Sequence, residues 1–344
     1  MLGLDLVVVI VAVALLFDYF NGFNDAANSI ATVVATRVLS PLQAVAWAAF
    51  FNFVAAFTFG TGVAKTIGSG MVDLTYVTPL VILGGLAGAI SWVFAMSMLG
   101  LPVSASHALV GGYAGSAMSN IAALFGLSRS FDAVILAGWI KPVLFIVVSP
   151  VLGLALSGTL MTAVYWLFRR ATPKRTDSFF RKLQLLSAAA FSYAHGTNDA
   201  QKTMGIITGA LVAGGYLTTF EVPLWVIFSA HGAIALGTLM GGWRVVETMG
   251  TRITRLRPRE GFCAETAGAA SVFFATLLGQ PVSTTHTIAG AIAGVGVVRR
   301  VKSVRWRMAQ RIVWAWIFTM PCAGGVGWVA YRALAALATA LQRT

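Results

Sequence analysis

Residues 17–26 read Phe17-Asp18-Tyr19-Phe20-Asn21-Gly22-Phe23-Asn24-Asp25-Ala26. The chain returns to that pattern at Phe191-Ser192-Tyr193-Ala194-His195-Gly196-Thr197-Asn198-Asp199-Ala200, 174 positions later, with six of ten positions identical. A second pair follows at an offset of 179: Pro102-Val103-Ser104-Ala105-Ser106-His107 against Pro281-Val282-Ser283-Thr284-Thr285-His286, after which Gly111 and Gly115 meet Gly290 and Gly294. A weaker third pair sets Val63-Ala64-Lys65-Thr66 on Val245-Val246-Glu247-Thr248. Three matches in one order at nearly constant spacing make the chain a duplicated unit. The polar stretch Arg169–Lys182 separates the copies, giving an N-terminal repeat over 1–168, a basic linker over 169–182 and a C-terminal repeat over 183–344.

Composition decides the solvent. Of 344 residues, 58% are apolar and 10% charged, against roughly 45–50% and 25% in a soluble domain. Too few polar groups exist to cover a globular surface, and the hydrophobicity excludes a disordered chain. No Asp, Glu, Lys or Arg occurs over 74–128, nor over 38–64, 142–168, 222–243, 266–298 or 312–331. A membrane-spanning helix needs about 20 apolar residues. Ten hydrophobic segments follow: 2–36, 41–64, 77–99, 101–126, 131–168, 183–218, 222–243, 261–279, 280–298 and 308–342. The apolar start, Met1 to Leu16, lacks a basic region ahead of it and reads as the first half of a span, not a secretory signal. The expected fold is all-α, a polytopic transmembrane helical bundle in the lipid bilayer. Five crossings per half would turn the second copy upside down, and such inverted repeats with broken or re-entrant helices are built around a midplane site.

The formal charge is +13, yet 17 of the 24 basic residues lie in three clusters beside apolar spans, over 169–182, 244–259 and 299–311. That distribution marks cytoplasmic loops and excludes nucleic acid as the partner. Arg175 and Arg255 are expected on the cytoplasmic side of a cell membrane and both termini outside. Cys263 and Cys322 have no metal-binding spacing and read as packing residues.

An ionised carboxylate within a span costs about 2.5–3.5 kcal/mol even on a lenient insertion scale, so Asp25 and Asp199 ask for a reason. Each lies behind a glycine able to break a helix. Asn24, Asn28, Asn198 and Gln201 offer further oxygens, a set suited to Na⁺, whereas a carboxylate alone suits a proton. The competing reading makes each Asp the cap of a half-helix. In the second element, proline starts a helix and puts Ser104 and Ser106, or Ser283, Thr284 and Thr285, in its first turn. Free backbone N–H groups and the positive dipole end attract anions there. Simple N-capping by the same hydroxyls is the alternative. His107 and His286 either relay a proton or orient a neighbour, or only bond a nearby carbonyl. His195 and His231 have no histidine in the other half and rank below them. Lys202 either neutralises an anion or pairs with Asp199.

At these motifs the sequence resembles the inorganic phosphate transporter family, low-affinity secondary phosphate carriers. The residues that carry the resemblance are Gly22–Asn28, His195–Gly205, both Pro-Val-Ser-x-Ser/Thr-His elements and Gly261–Thr266, and it spans nearly the whole chain. It implies an inverted-repeat fold, cation-driven import of inorganic phosphate, in some relatives as a metal–phosphate complex, and a homo-oligomer. Asp25, Asp199 and Asn28 would handle the cation, the two aspartates being metal ligands only if sodium is carried. Ser104, Ser106, Ser283, Thr284, Thr285, Asn24, Asn198, Gln201 and Lys202 form the expected substrate-binding set. No cofactor is expected besides the transported H⁺ or Na⁺. Sodium-coupled relatives often carry Glu in both Val-x-Glu-Thr copies, whereas here Lys65 stands opposite Glu247, which favours protons. The weighed alternatives are a sulfate permease of the same superfamily, a passive anion channel and an intramembrane aspartyl protease. The protease would need no duplicated Ser/Thr-His elements, so the chain is not expected to be an enzyme.

Overall fold

The computed structural model describes residues 4–57 and 60–341, and its regular elements are helices. The first half holds α1 (Leu4–Ala35), α2 (Pro41–Val54), α3 (Gly62–Ser69), α4 (Pro79–Met98), α5 (Ala105–Phe125) and α6 (Leu136–Leu167). The second holds α7 (Pro173–Ala213), α8 (Leu224–Met240), α9 (Trp243–Glu247, followed by a π-helical turn to Arg252), α10 (Pro258–Leu277), α11 (Thr284–Arg299) and α12 (Trp306–Leu341). Each half thus repeats one order of elements: a long helix, a bent pair, two helices joined by a short turn, and a long helix. Proline opens α2, α4, α7 and α10, where its missing N–H costs nothing. Ser40 and Thr78 accept from Gln43 N and Val81 N to cap α2 and α4.

Among the described residues, five helices are long and apolar enough to cross a membrane by length and composition, or up to seven if each bent pair counts as one. The bent pairs are the broken helices the sequence implies: α2 and α3 meet at 89°, α8 and the segment containing α9 at 68°.

The pairs α4/α5 and α10/α11 are hairpins whose turns sit at the middle of the molecule. Gly100 and Gly279 open those turns in left-handed backbone, φ +69° and +65°, which glycine adopts without a steric cost. Thr248 Oγ1 donates to Gly100 O at 2.8 Å, and Thr66 Oγ1 donates to Gly279 O at 2.8 Å. These threonines end the third sequence match, so each half clamps the other half's turn. The turns then reach mid-helix residues: Asn24 Nδ2 of α1 donates to Val103 O at 3.0 Å, and Asn198 Oδ1 of α7 accepts from Val282 N at 3.4 Å. Segments 77–99, 101–126, 261–279 and 280–298 are therefore arms of two hairpins and not four separate crossings. Hydropathy cannot distinguish the two arrangements, because both bury the same apolar length. A hairpin counts as two passages, so the parity of each half is unchanged.

The terminal hairpin helices pack across the halves. Built Cβ atoms on Gly115 and Gly290 would lie 2.1 Å from Gly324 O and Pro150 O, so the backbones touch through glycine. Along α5 and α12 the register runs 111 to 320, 115 to 324 and 119 to 328; along α6 and α11 it runs 150 to 290, 154 to 294 and 158 to 298. Both pairs are parallel. The three basic clusters share one face: Arg169, Arg257 and Arg259 line one recess, Arg255, Arg299, Arg300, Lys302 and Arg305 another. α11 ends at this face and α12 begins there, so α5 points away from it. The two hairpins therefore enter from opposite faces. Arg181 donates to Arg37 O just after α1, which puts the start of α1 and the end of α12 on the face opposite the basic clusters. The stretch 169–182 is a connection only as far as Thr172. Pro173 begins α7, and residues 173–182 are helix.

The apolar core is split in two. α1 gives Val7, Ile10, Ala14 and Phe17 to one cluster and Ala27, Ile30 and Val33 to the other; α7 gives Phe180, Ala188 and Phe191 to the second and Met204, Ile207 and Ala210 to the first. The layer between them, at residues 18–25 and 195–199, is polar.

Candidate functional site

That polar layer is built from equivalent positions of the two halves. Asn21 and His195 occupy one equivalent position, Asp25 and Asp199 another, Asn28 and Lys202 a third, all at the offset of 174. Each of the first pair crosses to the other half's carboxylate: Asn21 Nδ2 donates to Asp199 Oδ2 at 3.4 Å, and His195 Nε2 lies 3.6 Å from Asp25 Oδ2. His195 Nε2 is also 3.9 Å from Asp199 Oδ2. One ligand atom each of Asp25, His195 and Asp199 falls within 4.8 Å of the others.

The hairpin tips interlock around these groups. Ser106 Oγ donates to Val282 O at 3.3 Å, and Thr285 Oγ1 donates to Val103 O at 3.2 Å, a reciprocal exchange between the halves. Asn28 Nδ2 reaches Thr285 Oγ1 at 3.0 Å, and Lys202 Nζ likewise donates to Ser106 Oγ. The symmetry breaks at the carboxylates. Asp25 accepts from Thr284 Oγ1 at 3.1 Å and Asn24 Nδ2 at 2.6 Å, and shares the single Thr285 hydroxyl proton, at 3.2 Å, with Val103 O. Ala105 stands where a partner to Thr284 would be, and Asp199 Oδ1 instead meets Lys202 Nζ at 2.9 Å. Asp25 is thus held by neutral donors and Asp199 by an ammonium.

Ser104 and Ser283 are the N-caps of α5 and α11, each accepting at 3.2 Å from the N–H of His107 or His286. Among the described residues neither hydroxyl proton is given to an acceptor. The two caps lie one turn from ring-to-ring contact between their helices: the His107 and His286 rings meet edge to face at 4.8 Å, and His286 stacks on Trp316 at 3.8 Å. Asp25, Asp199, His195, Lys202, Ser104 and Ser283 are all at most 2% exposed, so the layer is sealed from both faces.

A model of the phosphate transporter family matches residues 21–327, which includes both halves of this layer and both hairpin tips. The chain belongs to that family. A protein of Rhizobium meliloti named "Probable low-affinity inorganic phosphate transporter" is 52% identical over 333 residues, covering 96% of this chain and 97% of its own. A Bacillus subtilis protein of the same name is 42% identical over 331 residues, covering 95% and 97%. Among solved structures, one titled "The sodium-dependent phosphate transporter" superposes with a TM-score of 0.86 at 25% identity, covering 97% of this chain and all of that one. These relatives are transporters and not enzymes, which removes the protease alternative. The fold is a multi-pass membrane bundle.

Within this transporter, Asp25, Asp199, Asn24, Asn28, Ser106, Thr284, Thr285 and Lys202 come together. Ser104 and Ser283 sit at the two hairpin helix starts. Two expected residues face elsewhere. Asn198 bonds the α10–α11 turn through Thr276 Oγ1 and Gln280 O, and Gln201 Oε1 accepts from Val63 N on α3 at 3.0 Å. His195, placed below His107 and His286 from the sequence because no second histidine matches it, lies between the two carboxylates. The ten-residue match already set His195 on Asn21, and a polar side chain at both copies was the available signal. His231 does lie away from the carboxylates, its Nδ1 3.0 Å from Asn52 O. Two more buried carboxylates were missed. Asp18 Oδ1 accepts from Asn21 at 3.5 Å. Glu265 accepts from Thr32, Gln184 and Ser187 and ties α10 to α1 and α7.

Proposed function

We propose that the chain imports inorganic phosphate by coupling it to a cation, protons in preference to sodium, at the layer between the two halves. The observation that carries this reading is the pair of serine-capped helix starts, one from each half, converging on two buried carboxylates. Helix starts offer unpaired N–H groups and a positive dipole end to an anion. Ser104 and Ser283 add O–H donors without a fixed positive charge. Carboxylates beside an anion site repel a fully deprotonated oxyanion but accept a hydrogen bond from one that keeps a proton. Phosphate keeps a proton at neutral pH and sulfate does not, so this chemistry favours phosphate.

The preference for protons rests on ligand type. Hard cations take oxygen ligands, and two positions that are amides in the first half, Asn21 and Asn28, are His195 and Lys202 in the second. Lys65, in place of a glutamate on α3, adds to the same argument. By the lysine and arginine distribution the basic face is cytoplasmic and the membrane is the plasma membrane. A homo-oligomer belongs to the same reading. Because the layer is sealed, transport requires the two halves to open it alternately to each face.

Competition tests the substrate. Labelled phosphate bound to the purified chain should be displaced by unlabelled phosphate and survive a hundredfold excess of sulfate. Equal displacement by both anions would favour the sulfate reading.

A further inference from the structure

The two halves treat their carboxylates differently: Thr284 donates to Asp25 where Ala105 has nothing to offer Asp199, and the fixed charge falls on one pair of equivalent residues, Asn28 and Lys202. In the first half, Asn28 Nδ2 donates to Thr285 Oγ1 and leaves its carbonyl oxygen without a partner. In the second half, Lys202 makes the equivalent contact with Ser106, donates to Val282 O at 3.2 Å, and adds an ion pair of 2.9 Å with Asp199. The lysine side chain is fully buried. A buried ammonium that is hydrogen-bonded to a hydroxyl and a carbonyl and in ion-pair contact with a carboxylate is surrounded by oxygens as a bound cation is.

The geometry points to Lys202 as a tethered cation: its ammonium permanently fills, at Asp199, the place that a carried cation takes at Asp25. The inference rests on the cation-coupled reading above and deepens it. A tethered charge cannot leave with the substrate. Only the half built on Asp25 then exchanges a cation, and the chain moves one cation fewer per phosphate than a two-fold symmetric site would. Four other titratable groups face the ammonium's surroundings: His107, His195, Asp25 and the buried Asp18. None of them touches Asp199 Oδ1, the atom that Lys202 neutralises. The unpartnered Nε2 of His195, fully buried between the two aspartates, marks the side from which an exchangeable cation would be held. The rival role for Lys202 is direct contact with phosphate.

The test is equilibrium binding of labelled phosphate to the full chain in lipid nanodiscs, with pH and sodium titrated separately. Binding linkage makes the slope of log affinity against log cation concentration a count of cations taken up with phosphate. Lys202→Asn should raise that slope by about one, because Asp199 must then recruit a cation from solution. The Asp199→Asn/Lys202→Asn pair should return the slope to that of the unaltered chain, with binding again measurable. Both variants binding with the original slope overturns the inference. So does loss of phosphate binding in both, since that outcome makes Lys202 a phosphate ligand. If Lys202→Asn alone fails to bind and the paired variant binds, the charge balance is what mattered and the inference stands. Absence of phosphate binding by the unaltered chain under every cation would remove the carrier reading and this inference with it.

Discussion

Asp25→Asn is expected to abolish gradient-driven accumulation of phosphate while folded protein still reaches the membrane. The substitution keeps the shape and one acceptor oxygen; Thr284 and Thr285 donate to different oxygens of Asp25, so one of the two contacts between α1 and the α11 start survives, and the Asn28 contact with Thr285 is untouched. What it removes is the negative charge that no internal cation balances. At about 4 Å and an effective dielectric constant near 20, a cation–carboxylate contact is worth about 4 kcal/mol, or roughly a thousandfold in cation affinity. Counterflow exchange of labelled for unlabelled phosphate, which needs no net cation movement, should persist better than accumulation. Normal accumulation by a well-folded Asp25→Asn variant would take that residue out of the coupling site.

The second large effect is expected at the hairpin helix starts. Ser104→Gly and Ser283→Gly should each weaken apparent phosphate affinity roughly ten- to hundredfold, the value of one hydrogen bond to a charged group at about 1.5–3 kcal/mol. Glycine is the informative replacement because it caps a helix within a few tenths of a kcal/mol of serine, whereas alanine costs about 1 kcal/mol. Both serines already accept from their own helix, so a purely structural cap predicts a small change in melting temperature for the alanine variants and none in affinity for the glycine variants. Unchanged phosphate affinity in the double glycine variant, with protein amount maintained, would remove the anion site from these helix ends.

Much of this site could be read in the sequence because duplication prints the same chemistry twice. The Gly-x-Asn-Asp and Pro-Val-Ser elements marked α1, α7 and the two hairpin tips, and all of them meet in one layer. The crossing of the halves was not legible. No spacing rule says that Thr284 and Thr285 donate to Asp25 and not to Asp199, or that His195 reaches across to the first half's carboxylate. Those contacts depend on how two apolar hairpins interlock, which α5 with α12 and α6 with α11 settle through glycine backbones that touch. The hairpins themselves were hidden because segments 77–99 and 101–126 are as apolar as true spans. Lys202 was visible, but its meaning came only from finding Asn28 in the equivalent place with the equivalent hydrogen bond.

The central claim is that phosphate moves uphill at the expense of a cation gradient through the layer holding Asp25. Uptake of labelled phosphate into proteoliposomes, with proton and sodium gradients imposed one at a time, tests it most directly. The account predicts accumulation driven by an inward proton gradient and little change when sodium is replaced by choline. Strict dependence on sodium would contradict the choice of ion, and equilibration without accumulation under either gradient would contradict the claim itself.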